Sequence, residues 1–179
     1  MSFPKIKYNN ISDFSSAYIK NYETTVNNID FLSLEKITQV IERTYLNNKV
    51  LFVCGNGGSA AIANHMVCDH GKLIGTDTNV RVKINSLCNS IELITAISND
   101  ITYDEIFSFQ IKSFGELGDT FFVMSASGNS KNIVNGMKVA KKLGLKIISF
   151  TGFDGGEAKK LSDVNINVPI ENYGIIEDV

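Results

Sequence analysis

His65 and Asp69 are the pair in this chain whose types and spacing point most directly to chemistry. They stand four residues apart on a segment of helix formers that begins at Ala60, so an imidazole and a carboxylate share one face and can act on one ligand or metal ion. Just before them, Leu51-Phe-Val-Cys54 is an apolar run of β type and Gly55-Asn56-Gly57-Gly58-Ser59 is a glycine turn. That reads as strand, turn, helix. Glycines let such a turn take positive φ and bring N–H groups close to a ligand, while the helix N-terminus supplies a positive dipole end. An anion belongs there, and phosphate is the expectation. A second loop, Ser125-Ala126-Ser127-Gly128-Asn129-Ser130, follows the apolar run Phe121-Phe-Val-Met124 and opens another helix. One hydroxyl, that of Ser130, is enough to cap a helix. Ser125 and Ser127 are left over, which favours anion binding over capping alone.

The elements that must position these groups follow from pattern. Residues 11 to 48 read as two helices broken near Asn27-Asn28-Ile29-Asp30, the second capped by Ser33 and carrying Leu34, Ile37, Val40, Ile41 and Tyr45 on one core-facing stripe. After the His65–Asp69 helix, Gly71 to Val80 reads as an irregular connection and Val82 to Ser86 as a second strand. A capping box of Asn89 with Glu92 launches a helix that stops near Ser98-Asn99-Asp100, and a second box, Thr102 with Glu105, starts a helix whose Ile106, Phe107, Phe109, Ile111 and Phe114 are expected in the core. The helix after Ser130 ends at Gly144 as a C′ glycine, strand four is Lys146 to Thr151, and Val164 to Val168 alternates as strand five. Five strands alternating with helices make an α/β fold, a three-layer αβα sandwich around a parallel sheet. With the flavodoxin-like order 2-1-3-4-5, the switch point falls between strands one and three and both loops face one crevice.

Composition limits the function classes. A chain of 179 residues supports a single domain, here an N-terminal helical pair over 1–48 and an α/β core over 49–179. Its net charge of −2 lacks the basic excess of a general nucleic-acid binder. Cys54, Cys68 and Cys88 form no CxxC pair and suggest reduced thiols. The N-terminus carries no apolar signal core, and no apolar run reaches the ~18 residues of a membrane span. A cytoplasmic protein is expected, without nucleic-acid or membrane partners.

Two rival motifs are weak. Gly55, Gly57 and Ala60 satisfy the dinucleotide fingerprint, but strand two ends in Asn85-Ser86 where a ribose-binding acid is expected, and no G-K-[ST] follows for a P-loop. Taken together, Cys54 to Ser59, His65, Asn99-Asp100, Ser125 to Ser130 and Thr151-Gly-Phe-Asp-Gly-Gly156 resemble the sugar isomerase (SIS) domain family, and within it the phosphoheptose isomerases. The likeness covers nearly the whole chain.

The resemblance implies a homotetramer with active sites between subunits, one zinc ion per subunit, and conversion of sedoheptulose 7-phosphate to D-glycero-D-manno-heptose 7-phosphate for bacterial surface polysaccharide. It places substrate contacts on Asn56, Gly57, Gly58, Ser59, Asp69, Asn99, Asp100, Ser125, Ala126, Ser127, Ser130 and Glu177, with Asn56 and Asp100 on sugar hydroxyls. Metal ligands by the same likeness are His65, Asp69 and Glu177, and Asp69 is the base. Asp69 stands where the family has a Glu, one methylene longer, and Glu177 where it has a Gln. The family's acid is a His beyond that Gln; the sequence ends at Val179, and its last helix is expected to be cut short. Alternative readings are a non-catalytic SIS-fold adaptor for a replication initiator protein, or an isomerase of another phosphosugar.

Overall fold

The computed structural model describes residues 2–179. Two helices lead the chain, α1 (Ile11–Asn27) and α2 (Phe31–Leu46). Asn10 caps α1 by accepting from the Asp13 N–H. Asp30, not Ser33, caps α2: its carboxylate accepts from the N–H groups of Leu32 and Ser33, and the Ser33 hydroxyl donates to it. A carboxylate one turn earlier satisfies the orphan donors better than a hydroxyl already inside the helix. On the expected stripe Ile37 and Tyr45 are buried, Val40 and Ile41 are half-buried and Leu34 is exposed.

The sheet contains β1 (Leu51–Gly55), β2 (Ile84–Ser86), β3 (Thr120–Ser125), β4 (Lys146–Gly152) and β5 (Val164–Val168). All pairings are parallel, as the alternation of elements implied, and the order is β2-β1-β3-β4-β5, the flavodoxin-like order expected. Register places Gly55 beside Met124 and Ser125 beside Thr151, so the three loops at these carboxyl ends rise from one edge. Side chains alternate between two cores. Phe52, Cys54, Phe121, Val123 and Ile147 point to one, and Leu51, Val53, Phe122, Met124 and Ile148 to the other, which explains why β1 and β3 are apolar without interruption.

The first core is closed by α5 (Ile91–Asp100), α6 (Ile106–Phe114), α7 (Lys131–Leu143) and α8 (Gly156–Leu161). Ser90, one residue after the expected Asn89, caps α5 by accepting from Leu93 N–H. Thr102 opens a short 3₁₀ turn, Tyr103–Glu105, ahead of α6. Ile106, Phe107 and Ile111 are buried as expected, whereas Phe109 and Phe114 lie on the outer face and are exposed. α7 buries Ile133, Met137 and Ala140 and ends at Gly144, whose φ of 78° makes it the left-handed C-terminal residue.

The second core is covered by α2 and α3 (Gly58–Cys68). Residues 71–80 are more ordered than the sequence suggests. α3 runs on into π-helical turns, Asp69–Ile74, and a last α-turn, α4 (Gly75–Asp77). A third small core joins Phe3, Val168, Ile170 and Ile175, tying the N-terminus to α9 (Tyr173–Asp178). The Tyr18 hydroxyl of α1 donates to the Asp178 carboxylate at the same junction, and burial together with that carboxylate pushes the phenol up to about 12.

Candidate active site

Two helix N-termini aim at one crevice. β1 feeds α3 through Asn56 and Gly57, and Gly57 needs its glycine because its φ is 56°. β3 feeds α7 through Ala126 to Ser130, with Gly128 at φ 64°. A Cβ on Gly128 would stand 2.0 Å from the Gly155 carbonyl oxygen, so the serine loop is packed backbone to backbone against the turn after β4. The Gly128 carbonyl accepts from Ala158 N–H at 2.9 Å and locks that contact.

Between the loops lies a pocket of about 140 Å³ lined by Asn56, Ser59, Ser125, Ala126, Ser127 and Ser130, with Tyr173 and Glu177 from α9. Ser130 occupies the cap position of α7 but its hydroxyl makes no cap bond. Capping therefore does not explain this serine. Ser127 accepts from Asn129 N–H at 3.3 Å, holding the loop's own turn. Gly58 is the first residue of α3, and a Cβ there would lie 3.1 Å from both Glu177 carboxylate oxygens, so that carboxylate sits over the dipole end of the helix.

The small pocket opens into a cavity of about 560 Å³, the two sharing Ser59, Met124, Ser125, Ala126 and Glu177. His65, Asp69 and His70 stand on its wall, facing α2 and the sheet. The His65 Nε2 lies 3.2 Å from Asp69 Oδ2. His70, the next residue in the π-helical turns that begin at Asp69, lines the same cavity, and its Nδ1 is 2.7 Å from the Tyr45 hydroxyl. Burial lowers the pKa of His70 and raises that of Tyr45, so both are neutral near pH 7.

The expected sites meet this geometry unevenly. Asn56, Gly57, Gly58, Ser59, Ser125, Ala126, Ser127 and Ser130 come together around the pocket, and His65 and Asp69 adjoin it. Asn99 and Asp100 do not line either cavity. They close the exposed last turn of α5, with Asn99 Nδ2 donating to Asp100 at 2.8 Å, so within one chain Asp100 does not join Asn56 at the pocket where a sugar hydroxyl contact is expected. Nor does Glu177 complete the metal set. Among the described residues no three His, Cys, Asp or Glu side chains are grouped to hold a metal, because Glu177 is held over Gly58 rather than beside His65 and Asp69. The pair offers two donors of suitable chemistry where a tetrahedral zinc takes four.

Sequence reasoning missed Tyr103 and Asn132. The Tyr103 hydroxyl donates to Asn56 Oδ1 at 3.0 Å, and Asn132 exchanges two hydrogen bonds with Asn56. A signal existed for the second: asparagine is a poor helix former, so one in the first turn of α7 needs a reason.

A sequence model of the SIS domain matches residues 16–152. The chain is 36% identical over 170 residues to a phosphoheptose isomerase of Aliarcobacter butzleri, covering 92% of this chain and 89% of that protein. It is 38% identical over 147 residues to one from Sulfurimonas denitrificans, covering 81% and 74%. Among solved structures, phosphoheptose isomerase GmhA from Neisseria gonorrhoeae superposes with a TM-score of 0.83 at 26% identity, covering 94% of this chain and 92% of that one.

Proposed function

The chain belongs to the SIS domain family, and we propose that it isomerises sedoheptulose 7-phosphate to D-glycero-D-manno-heptose 7-phosphate. The observation that carries this reading is the convergence of the glycine and serine loops on one pocket that opens directly onto the His65–Asp69 pair. An anion end and a proton-handling end adjoin, as a phosphorylated sugar requires.

The phosphate lies in the small pocket, where the Ser125, Ser127 and Ser130 hydroxyls and the N-termini of α3 and α7 offer donors and positive dipole ends. The sugar chain extends into the larger cavity toward Asp69. As general base, Asp69 takes a proton from the hydroxymethyl carbon C1. The electron pair forms a C1–C2 double bond and the C2 carbonyl oxygen takes up the charge as an enediolate. A proton delivered to C2, with transfer of the O1 proton to O2, completes the aldose. Met66, Phe122 and Phe150 on the cavity wall exclude water from the intermediate.

Two further features belong to the proposal. One zinc ion would be held by His65 and Asp69 together with ligands from outside this pair, and would polarise the oxygens of a bound sugar. The protein works as a homotetramer whose subunits share sites, and surface polysaccharide supply in the cytoplasm is its setting.

Turnover of sedoheptulose 7-phosphate, followed as aldose appearing, tests the reading. Asp69→Asn keeps the volume and removes the base, and its kcat is expected to fall by about 10²–10⁴ while the variant still binds the sugar phosphate. Zinc content of the wild type against His65→Ala, read by elemental analysis, tests the metal: about one ion per subunit, lost in the variant. Wild-type protein that binds the sugar phosphate without converting it, at saturating zinc, defeats the assignment.

A further inference from the structure

We propose that Asn132 is a positioning residue that decides what both anion-binding loops present to the substrate. The inference rests on the sugar-phosphate reading of the pocket. Asn132 lies in the first turn of α7, is 2% exposed and does not line either cavity. Its Oδ1 accepts from its neighbour's backbone N–H, Ile133, at 2.9 Å. A backbone N–H only donates, so the amide atom facing it must be the oxygen, and the orientation of the Asn132 side chain follows.

That orientation passes to Asn56. Asn132 Nδ2 donates to Asn56 Oδ1 at 2.9 Å, and Asn56 Nδ2 donates back to Asn132 Oδ1 at 3.0 Å. The Tyr103 hydroxyl takes the second lone pair of Asn56 Oδ1 at 3.0 Å. With both lone pairs used and one N–H committed, Asn56 retains a single N–H for the crevice. It therefore donates to an acceptor oxygen, on a phosphate, a carbonyl or a sugar hydroxyl, and does not accept the proton of a sugar hydroxyl. This sharpens the expectation that Asn56 binds sugar hydroxyls.

The second consequence falls on Ser130. The Ile133 N–H is one of the orphan donors at the start of α7, which a cap side chain ordinarily satisfies. Asn132 satisfies it instead, so the Ser130 hydroxyl at the cap position stays available to a ligand. One buried amide thus sets a donor on the β1 loop and releases a hydroxyl on the β3 loop.

The test uses Asn132→Asp and Asn132→Ala in the full-length protein. The Asp variant keeps an acceptor for Ile133 but turns a second oxygen toward Asn56 Oδ1, breaking the reciprocal pair. In the Ala variant Ser130 swings back to cap α7. Both are expected to raise KM for sedoheptulose 7-phosphate and the inhibition constant of inorganic phosphate about tenfold, with kcat within about threefold. Ser130→Ala should weaken phosphate binding in the wild type and add little in the Asn132→Ala background, because its hydroxyl is already withdrawn there. A merely structural amide would lower the melting temperature and leave KM unchanged. Folded variants of either kind with wild-type KM and phosphate affinity overturn the proposal while the isomerase stands. Where wild-type protein shows no turnover the isomerase reading fails, and phosphate affinity still decides the role of Asn132. If Asn132→Ala fails to fold, Asn132→Asp alone carries the test.

Discussion

Glu177 is the residue that most changes the electrostatics of this pocket. Its carboxylate rests against Gly58 at the start of α3, the place a phosphate oxygen would otherwise favour, and it lines both cavities. A negative charge at a helix N-terminus is stabilised by the dipole, so the side chain is well placed for itself and badly placed for an anionic substrate. Glu177→Gln keeps the shape and removes the charge. KM for sedoheptulose 7-phosphate is expected to fall about three- to tenfold in steady-state assays, with the gain shrinking as salt is raised. An unchanged KM at low ionic strength would mean that the phosphate sits beyond the reach of this carboxylate.

At the scale of elements, the serine loop depends on a backbone contact as well as on its own hydrogen bonds. Gly128 has φ 64° and the Gly155 carbonyl immediately beneath it, and Gly155 itself takes φ 89°. A side chain at residue 128 must push two turns apart as well as adopt a disfavoured backbone. Gly128→Ala is expected to cost about 3 kcal/mol or more of stability by chemical denaturation, and to weaken phosphate binding in whatever fraction stays folded. The π-helical turns after α3 are the other element of consequence. They carry Asp69 and His70 onto the same cavity wall as His65 and Met66 of α3.

For the whole molecule, exposed apolar side chains occur on several elements, Ile91 on α5 and Phe114 on α6 among them. Ile11 and Ile19 on α1 and Phe31 and Leu32 on α2 are more than half exposed, and the large cavity is bordered by α2. Scattered exposed apolar residues are ordinary, but Phe31 also lines the large cavity, where a subunit contact would share the site. Sedimentation is expected to give a tetramer, and Ile19→Glu with Leu32→Glu to dissociate it and reduce turnover. A fully active monomer would remove the proposed sharing of sites. No helix among the described residues is long and apolar enough to cross a membrane.

The local pattern determined much of this protein. The apolar runs of β1 and β3, their glycine and serine turns and the His65–Asp69 spacing are encoded over short stretches, because strand period, turn chemistry and helix period are short-range properties. The alternation of elements implied a parallel sheet, and the flavodoxin-like strand order expected for it is the one observed. Long-range packing decided the rest. Phe109 and Phe114 face outward because α6 turns its other side to the sheet, and Asn99-Asp100 lie away from the pocket because α5 runs to its last turn outside it. Glu177 departs from the His65–Asp69 pair because the hydrophobic contact of Ile175 fixes α9 over Gly58. Asn132 reaches Asn56 across 76 positions of sequence, and only the pairing of β1 with β3 brings them together. Which loops meet is a property of the sheet, and no window of sequence contains both ends of that contact.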